Sequence, residues 1–223
     1  TTGYMRTSFN GELDGSTLGA TTVRVVELYQ SNFSITPATG AELPPGVTSP
    51  VRRVLKYGTD YTASVSPDID SAGRILRITP LQPLTPSTTT THIGYVVYLS
   101  SGIKDTSGNL AEPSETYATI KAAPAGCGTI TDATLKQVCQ LTQAHLAIGK
   151  AVGIDPAGVL LSWSFSTQSV DTTFEWVAAA VPGVSTSVRP MGISTKDVGL
   201  FGKANIYVGT TRVPYYSAVP ASV

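Results

Sequence analysis

The run Ile93-Gly94-Tyr95-Val96-Val97-Tyr98-Leu99 is apolar on both of the faces that a strand presents. Side chains alternate along a strand, so Tyr95, Val97 and Leu99 point one way and Val96 and Tyr98 the other. A strand without a polar face belongs at the centre of a sheet that is covered on both sides. Upstream of it, Arg74-Ile75-Leu76-Arg77-Ile78-Thr79 supplies a second apolar strand, and residues 160–169 (LLSWSFSTQS) return to strand character further on. Together these segments outline a β-sandwich interrupted by an insertion.

The flanking segments extend this outline. Val23, Val25 and Glu27 alternate with Arg24, Val26 and Leu28, which is strand periodicity, and Asp14-Gly15-Ser16-Thr17-Leu18 turns the chain ahead of them. Residues 36–50 read as a proline- and glycine-rich loop. Residues 57–65 and 74–79 predict a hairpin turned by residues 66–73 and ended by Pro80, Pro83 and Pro86. From Thr131 the period becomes helical, with Thr131 as the cap and Leu135, Val138, Leu141, His145, Ile148 and Val152 as an apolar stripe opposite Lys136, Gln140, Gln143 and Lys150. This amphipathic helix over 131–153 ends at Gly153, and Pro156 prevents its continuation. Residues 159–168 form the returning strand. A second helix is expected from an Asp171 cap to Val181, followed by strands at 188–194 and 205–216, the latter a hairpin bending near Gly209.

Charge narrows the partners. Fifteen Lys and Arg balance fifteen Asp and Glu, and charged residues are only 13% of the 223, so no field draws nucleic acid or anionic lipid. No nucleic-acid partner is expected. Mean hydropathy is +0.11, and no apolar run approaches the roughly 20 residues that span a bilayer. No transmembrane segment is expected, and any export signal is expected to have been removed or to lie outside this sequence. A monomer is expected. Cys127 and Cys139 could bond in an oxidising compartment, stabilising by about 3 kcal/mol, or stand as two free buried thiols.

A hydrolase chemistry is hard to find in these residues. The strand-to-helix serine elbow G-x-S-x-G does not occur, and Gly183-Val184-Ser185-Thr186-Ser187 has serine in place of its second glycine. Of the two histidines, His92 reads as a solvated loop residue and His145 as a packed residue with one hydrogen-bond partner. Asp68-Ile69-Asp70-Ser71-Ala72-Gly73 imitates a calcium loop but has Thr79 where the bidentate glutamate belongs, so it reads as a turn. Asp105-Thr106-Ser107-Gly108-Asn109 also reads as a turn, a weak ion site being its alternative. Trp163 and Trp176 read as core residues rather than stacking faces. Tyr95 is either a half-buried residue or a corner tyrosine whose hydroxyl bonds back to the preceding backbone. No catalytic, cofactor-binding or metal-binding residue is assigned, no cofactor is expected, and the fragment itself is expected not to be an enzyme.

Phe9 with Leu13-Asp14-x-x-Thr17-Leu18, then LRITPLQPL, YVVYL, GIKDTSGN and SWSFSTQS, resemble the N-terminal domain of the bacterial virulence-factor lipases. The first half is also similar to bacterial immunoglobulin-like domains, with Phe165 and Thr167 fitting their closing strand. The resemblance implies a mainly β fold with α insertions: an immunoglobulin-like sandwich over 1–170 with the helix at 131–153 inserted before its last strand. A small C-terminal α/β extension over 171–217 would follow, with the start of a linker at 218–223. It further implies a non-catalytic module of a secreted or surface-anchored lipase, located extracellularly or at the outer-membrane surface. Its partners would be a catalytic domain in cis and a cell-surface or lipid substrate. The Thr88 to Thr91 stretch departs from the family by lengthening the loop before Ile93. A stand-alone adhesin or surface-layer binding module is the alternative.

Overall fold

In the computed structural model, described for residues 3–31, 35–67, 74–123, 127–169, 175–176, 178–179, 186–200 and 204–211, the strand order explains why residues 93–99 have no polar face. The described elements are β1 (Met5–Ser8), β2 (Val23–Tyr29), β3 (Val51–Val54), β4 (Tyr61–Pro67), β5 (Arg74–Pro80) and β6 (Ile93–Ser100). They continue with α1 (Glu115–Ala122), α2 (Ala133–Ala151), β7 (Val159–Ser166), β8 (Thr186–Ser194) and β9 (Asn205–Thr211). β3-β2-β6-β7 form one antiparallel sheet and β1-β5-β4 another. Ile93, Tyr95, Val97 and Leu99 of β6 share a core with Leu76 and Ile78 of β5. On the opposite face, Val96 and Tyr98 pack with Val26, Leu28, Tyr117, Leu146 and Ile148. The four-stranded sheet therefore lies between a second sheet and a helical layer, and β6, flanked by β2 and β7, is apolar on both faces because both are covered. The fold is mainly β with two helices inserted between the paired strands β6 and β7.

The helical layer departs from the sequence expectation in three respects. Asp132, not Thr131, caps α2, its carboxylate accepting from the Leu135 amide at 2.7 Å. The residue whose side chain reaches the third amide inward is the one that removes an orphan donor. The buried face of α2 carries Cys139, Thr142, His145, Leu146, Ile148 and Gly149, while Val138 is exposed. Two contacts set that rotation: the Cys127–Cys139 disulfide, with Cα atoms 6.1 Å apart, and Gly149, where an added Cβ would lie 3.1 Å from the Tyr98 ring. The third departure is α1, which the sequence reading omits. Its Ser114 cap accepts from the Tyr117 amide at 3.2 Å, and Gln143 of α2 donates to the Ile120 carbonyl at 2.9 Å near the end of α1. So short a helix is held by these tertiary contacts rather than by propensity. At the other end of α2, Gly153 takes φ +76° as the left-handed residue that closes the helix.

Two strand boundaries also differ. β4 begins at Tyr61 rather than 57, because Gly58 at φ +78° turns the chain ahead of it. In the unit Val170–Val223, distinct from the unit Thr1–Ser169, β9 is a straight strand antiparallel to β8, with Gly209 opposite Val188 in mid-strand. Gly209 is not a bend; its missing Cβ leaves room where one would lie 2.7 Å from the Ser187 carbonyl and 3.0 Å from the Val188 side chain. β3 is likewise absent from the sequence reading: its exposed Arg52 and Arg53 leave only its two end residues half-buried. Asp171, Thr172 and Val181 of the expected second helix, Pro182 and Gly183 beyond it, and residues 212–223 lie outside the described residues.

Gly94 is an opening for a testable change. The Gln30 amide lies across it, so that a Cβ at position 94 would sit 2.0 Å from the amide carbon. Gln30 is itself buried and holds the Ser166 hydroxyl through its carbonyl oxygen at 2.7 Å. Gly94→Ala is expected to displace this amide and to cost about 2 kcal/mol by overpacking; a urea midpoint unchanged from the wild type would contradict the role.

Candidate functional site

Three places in the described residues concentrate polar or titratable groups, and each is built differently. The first lies between α2 and the four-stranded sheet. His145 is 1% exposed, its Nδ1 is 3.3 Å from the Ser162 hydroxyl, and Ser162 in turn meets the Tyr117 hydroxyl at 2.8 Å. Tyr98 donates to the His145 carbonyl at 2.7 Å. A serine beside a histidine invites comparison with a nucleophile and its base, yet Ser162 is buried as well. Its contacts run to α1 and α2 rather than to a cleft. Burial pushes His145 down to about 4, so the imidazole is neutral near pH 7 and its Nε2 has no hydrogen-bond partner. This trio packs the helical layer onto β7. The sequence reading of His145 as a packed residue with one partner matches its place here.

The second place is where Glu27 of β2 stands opposite Tyr95 of β6, at the corner made by the connection from β5 to β6. Glu27, 1% exposed, accepts from the Tyr95 hydroxyl at 2.8 Å and the Thr85 hydroxyl at 3.1 Å. Arg52 and Arg53 reach the same carboxylate, Arg53 at 3.3 Å. The Thr85 amide donates back to the Tyr95 hydroxyl at 2.8 Å, and Phe165 stacks on the Tyr95 ring with centroids 5.4 Å apart. Burial acts to raise the Glu27 carboxyl, but the hydrogen bonds from Tyr95, Arg52 and Thr85 outweigh it and hold the group below its usual range. Tyr95, pushed up to about 12 by burial, stays neutral as a donor. Of the two readings of Tyr95, the corner tyrosine is the one found. The carboxylate that anchors it has no mark in the sequence beyond its position, since Glu27 stands in register with Val23 and Val25 on a mainly apolar strand.

The third place is a groove of about 560 Å³ floored by Phe9, Leu13, Leu99 and Leu161 and rimmed by Asp105 and Glu112. At its edge the Asp105 carboxylate accepts from the Asn109 side-chain amide at 2.8 Å and from the amides of Asn109 and Ser107. These bonds, that of the Asn109 side chain foremost, draw the carboxyl below its ordinary range. They also occupy it, making residues 105–109 a self-satisfied turn. No group of three or more His, Cys, Asp or Glu among the described residues is placed to hold a metal.

The remaining candidates scatter. His92 is half-buried, and its carbonyl accepts from the Gln30 amide at 2.9 Å. Trp163 is half-buried against the main core, whereas Trp176 is 62% exposed, so the core role expected of both applies to Trp163 alone. Thr167 donates to the Thr85 carbonyl at 2.9 Å, linking the end of β7 to the Tyr95 corner. Gly183, Val184 and Ser185 of the imperfect serine elbow, and residues 68–73, lie outside the described residues.

Comparison with protein families matches residues 20–195 to the bacterial virulence factor lipase N-terminal family. The chain belongs to this family. The lipase N-terminal match runs from the approach to β2 through the whole helical layer and β8. Comparison with curated proteins and with solved structures found no match. No helix of the described residues is long and apolar enough to cross a membrane.

Proposed function

We propose that this lipase N-terminal domain is the non-catalytic front module of an exported or surface-anchored enzyme that hydrolyses lipid esters, and that it positions or assists a catalytic domain in cis. The observation that carries the reading is the family match over 20–195 in a sequence that lacks G-x-S-x-G. The Cys127–Cys139 bond favours an oxidising, extracellular setting. In this reading the sandwich is immunoglobulin-like. The β3-β2-β6-β7 sheet facing β1-β5-β4 supports that, as does a tyrosine near the start of the penultimate sandwich strand bonded to upstream backbone. Residues 1–170 form the sandwich with its helical insertion, 171–217 an extension towards the catalytic domain, and 218–223 the start of a linker.

Purified residues 1–223 are expected to turn over neither short nor long p-nitrophenyl esters, and the full-length enzyme to lose stability or surface activity without residues 1–200. Ester turnover by the fragment that a serine-directed phosphonate abolishes would overturn the reading. A gene without a serine elbow downstream of Val223 would favour a stand-alone adhesin or surface-layer module instead.

A further inference from the structure

The bend that leaves β1 carries Asn10 and Gly11, both exposed. Of the four asparagines in the chain, Asn10 alone precedes a glycine. Among the described residues no hydrogen bond holds the Asn10 side chain or the Gly11 amide. Gly11 takes φ +125°, and a Cβ added to it would meet no atom within 4 Å. The chain on either side is fixed, since Ser8 stands opposite Ile75 in the β1–β5 pair and Leu13 bridges to Asp105. Residues 10 and 11 are thus a free span between two held ends.

Asparagine is a thermolabile residue, because its side-chain amide lies within reach of the next main-chain nitrogen. Glycine in the next position leaves that nitrogen uncrowded and lets the backbone turn towards the amide. The two comparable places in the same unit are tied down. The Asn109 side chain donates to Asp105 at 2.8 Å, and its own amide donates to the same carboxylate at 2.8 Å. Asp14 also precedes a glycine, but its carboxylate accepts from the Ser16 amide at 2.9 Å and the Ser16 hydroxyl at 2.7 Å. Those bonds hold Asp14 ionised, whereas the corresponding ring closure at an aspartate needs the neutral acid.

We propose that Asn10 is a self-modification site, at which the folded chain converts this asparagine to aspartate and isoaspartate with water as the only co-reactant. The Gly11 nitrogen gives its proton to water and bonds to Cγ of Asn10. The Cγ–Nδ2 bond breaks, and ammonia leaves a cyclic imide. Water then opens the ring: cleavage of the bond from nitrogen to Cγ gives aspartate, and cleavage of the bond to the main-chain carbonyl carbon gives isoaspartate. No electron is gained or lost. The product places a new carboxylate at the edge of the groove that Asn10 and Gly11 line together with Asp105 and Glu112, and a formal net charge of zero becomes one negative.

The test is peptide mapping by mass spectrometry of residues 1–223 aged at mildly alkaline pH in heavy-oxygen water, one sample folded and one in urea. The peptide holding Asn10 is expected to exchange its amide for a carboxyl carrying one heavy oxygen, as a mixture of aspartate and isoaspartate. Its rate in the folded sample is expected to lie no more than about threefold below that in urea, while isoaspartate at Asp14 forms at least about tenfold more slowly in the folded sample. A larger drop at Asn10 overturns the proposal, since the bend would then hold the pair out of reach. Aspartate without isoaspartate overturns the cyclic route, and equal rates at Asp14 in the two samples count against hydrogen bonding as the selector. Asn10→Gln, whose longer side chain must close a larger ring, is expected to keep its amide over the same interval; loss at the rate of the wild type would overturn the assignment to Asn10.

Discussion

Replacing Glu27 with alanine is expected to destabilise the unit Thr1–Ser169 by about 3–5 kcal/mol, the cost of breaking a buried charged network by removing one member. The carboxylate takes hydrogen bonds from the hydroxyls of Tyr95 and Thr85 and from two arginines. Without it, the buried Tyr95 hydroxyl has no acceptor, and each such orphan costs roughly 1–3 kcal/mol. The missing side chain also leaves a void beside the stacked Tyr95 and Phe165 rings. The arginines contribute less to this cost, because their side chains are 38% and 49% exposed and can turn to water. Arg53→Ala is therefore expected to cost under about 1 kcal/mol, and Glu27→Gln, which keeps an acceptor oxygen, an intermediate amount. Urea unfolding of the three variants separates these effects. If Glu27→Ala fell within about 1 kcal/mol of the wild type, the corner would be a surface decoration and not an anchor.

This corner shows which features can and cannot be read from the residues in order. The two-faced pattern of residues 93–99 requires a sheet covered on both sides, and the helical period from 131 supplies the element that covers one of them. Hydrophobic periodicity reports burial directly, so these features are legible. Glu27 is visible only as a charged residue in register with Val23 and Val25; its meaning depends on Arg52, Arg53, Thr85 and Tyr95, which lie 25 to 68 positions away. α1 escapes because eight residues with two buried side chains give almost no periodic signal. The direction that α2 faces is ambiguous for a related reason. Val138 and Leu141 fit an apolar stripe as well as Thr142 and Gly149 do, until the disulfide and the Tyr98 ring select between them. For the candidate site, the sequence places His145 among apolar neighbours but cannot supply Ser162, which reaches it from a strand, or Tyr117, which bonds Ser162 from another helix.

His145 gives the second large expected effect, and its sign follows from burial. In the unfolded chain its imidazole titrates near the ordinary 6.5, whereas burial in the folded chain holds it at about 4. A depressed folded value means that the unfolded state binds the proton more readily. The contribution of the neutral ring to stability is therefore complete above pH 6.5 and is lost as pH falls towards 4. The loss reaches about 2–3 kcal/mol by pH 4.5, because each tenfold difference in proton affinity between the two states is worth about 1.36 kcal/mol. The groups around the ring do not offset this: Tyr98 and Tyr117 are both raised by burial and stay neutral, and Ser162 does not titrate. Glu27, Asp14, Glu42, Asp105 and Asp197 are all held below their usual ranges, so their own acid losses set in only near the ordinary carboxylate values, at the lower edge of this window, and fall mostly below it. His145→Leu fills a similar volume, removes the unpartnered Nε2 and leaves the Tyr117–Ser162 bond in place. It is expected to lie within about 1 kcal/mol of the wild type at pH 7 and to flatten the stability profile between pH 6.5 and 4.5. Urea midpoints measured across that range decide the matter. A variant that keeps the wild-type slope would show that the acid sensitivity of the helical layer arises elsewhere, and that the buried imidazole is not what ties α2 to the sheet in a pH-dependent way.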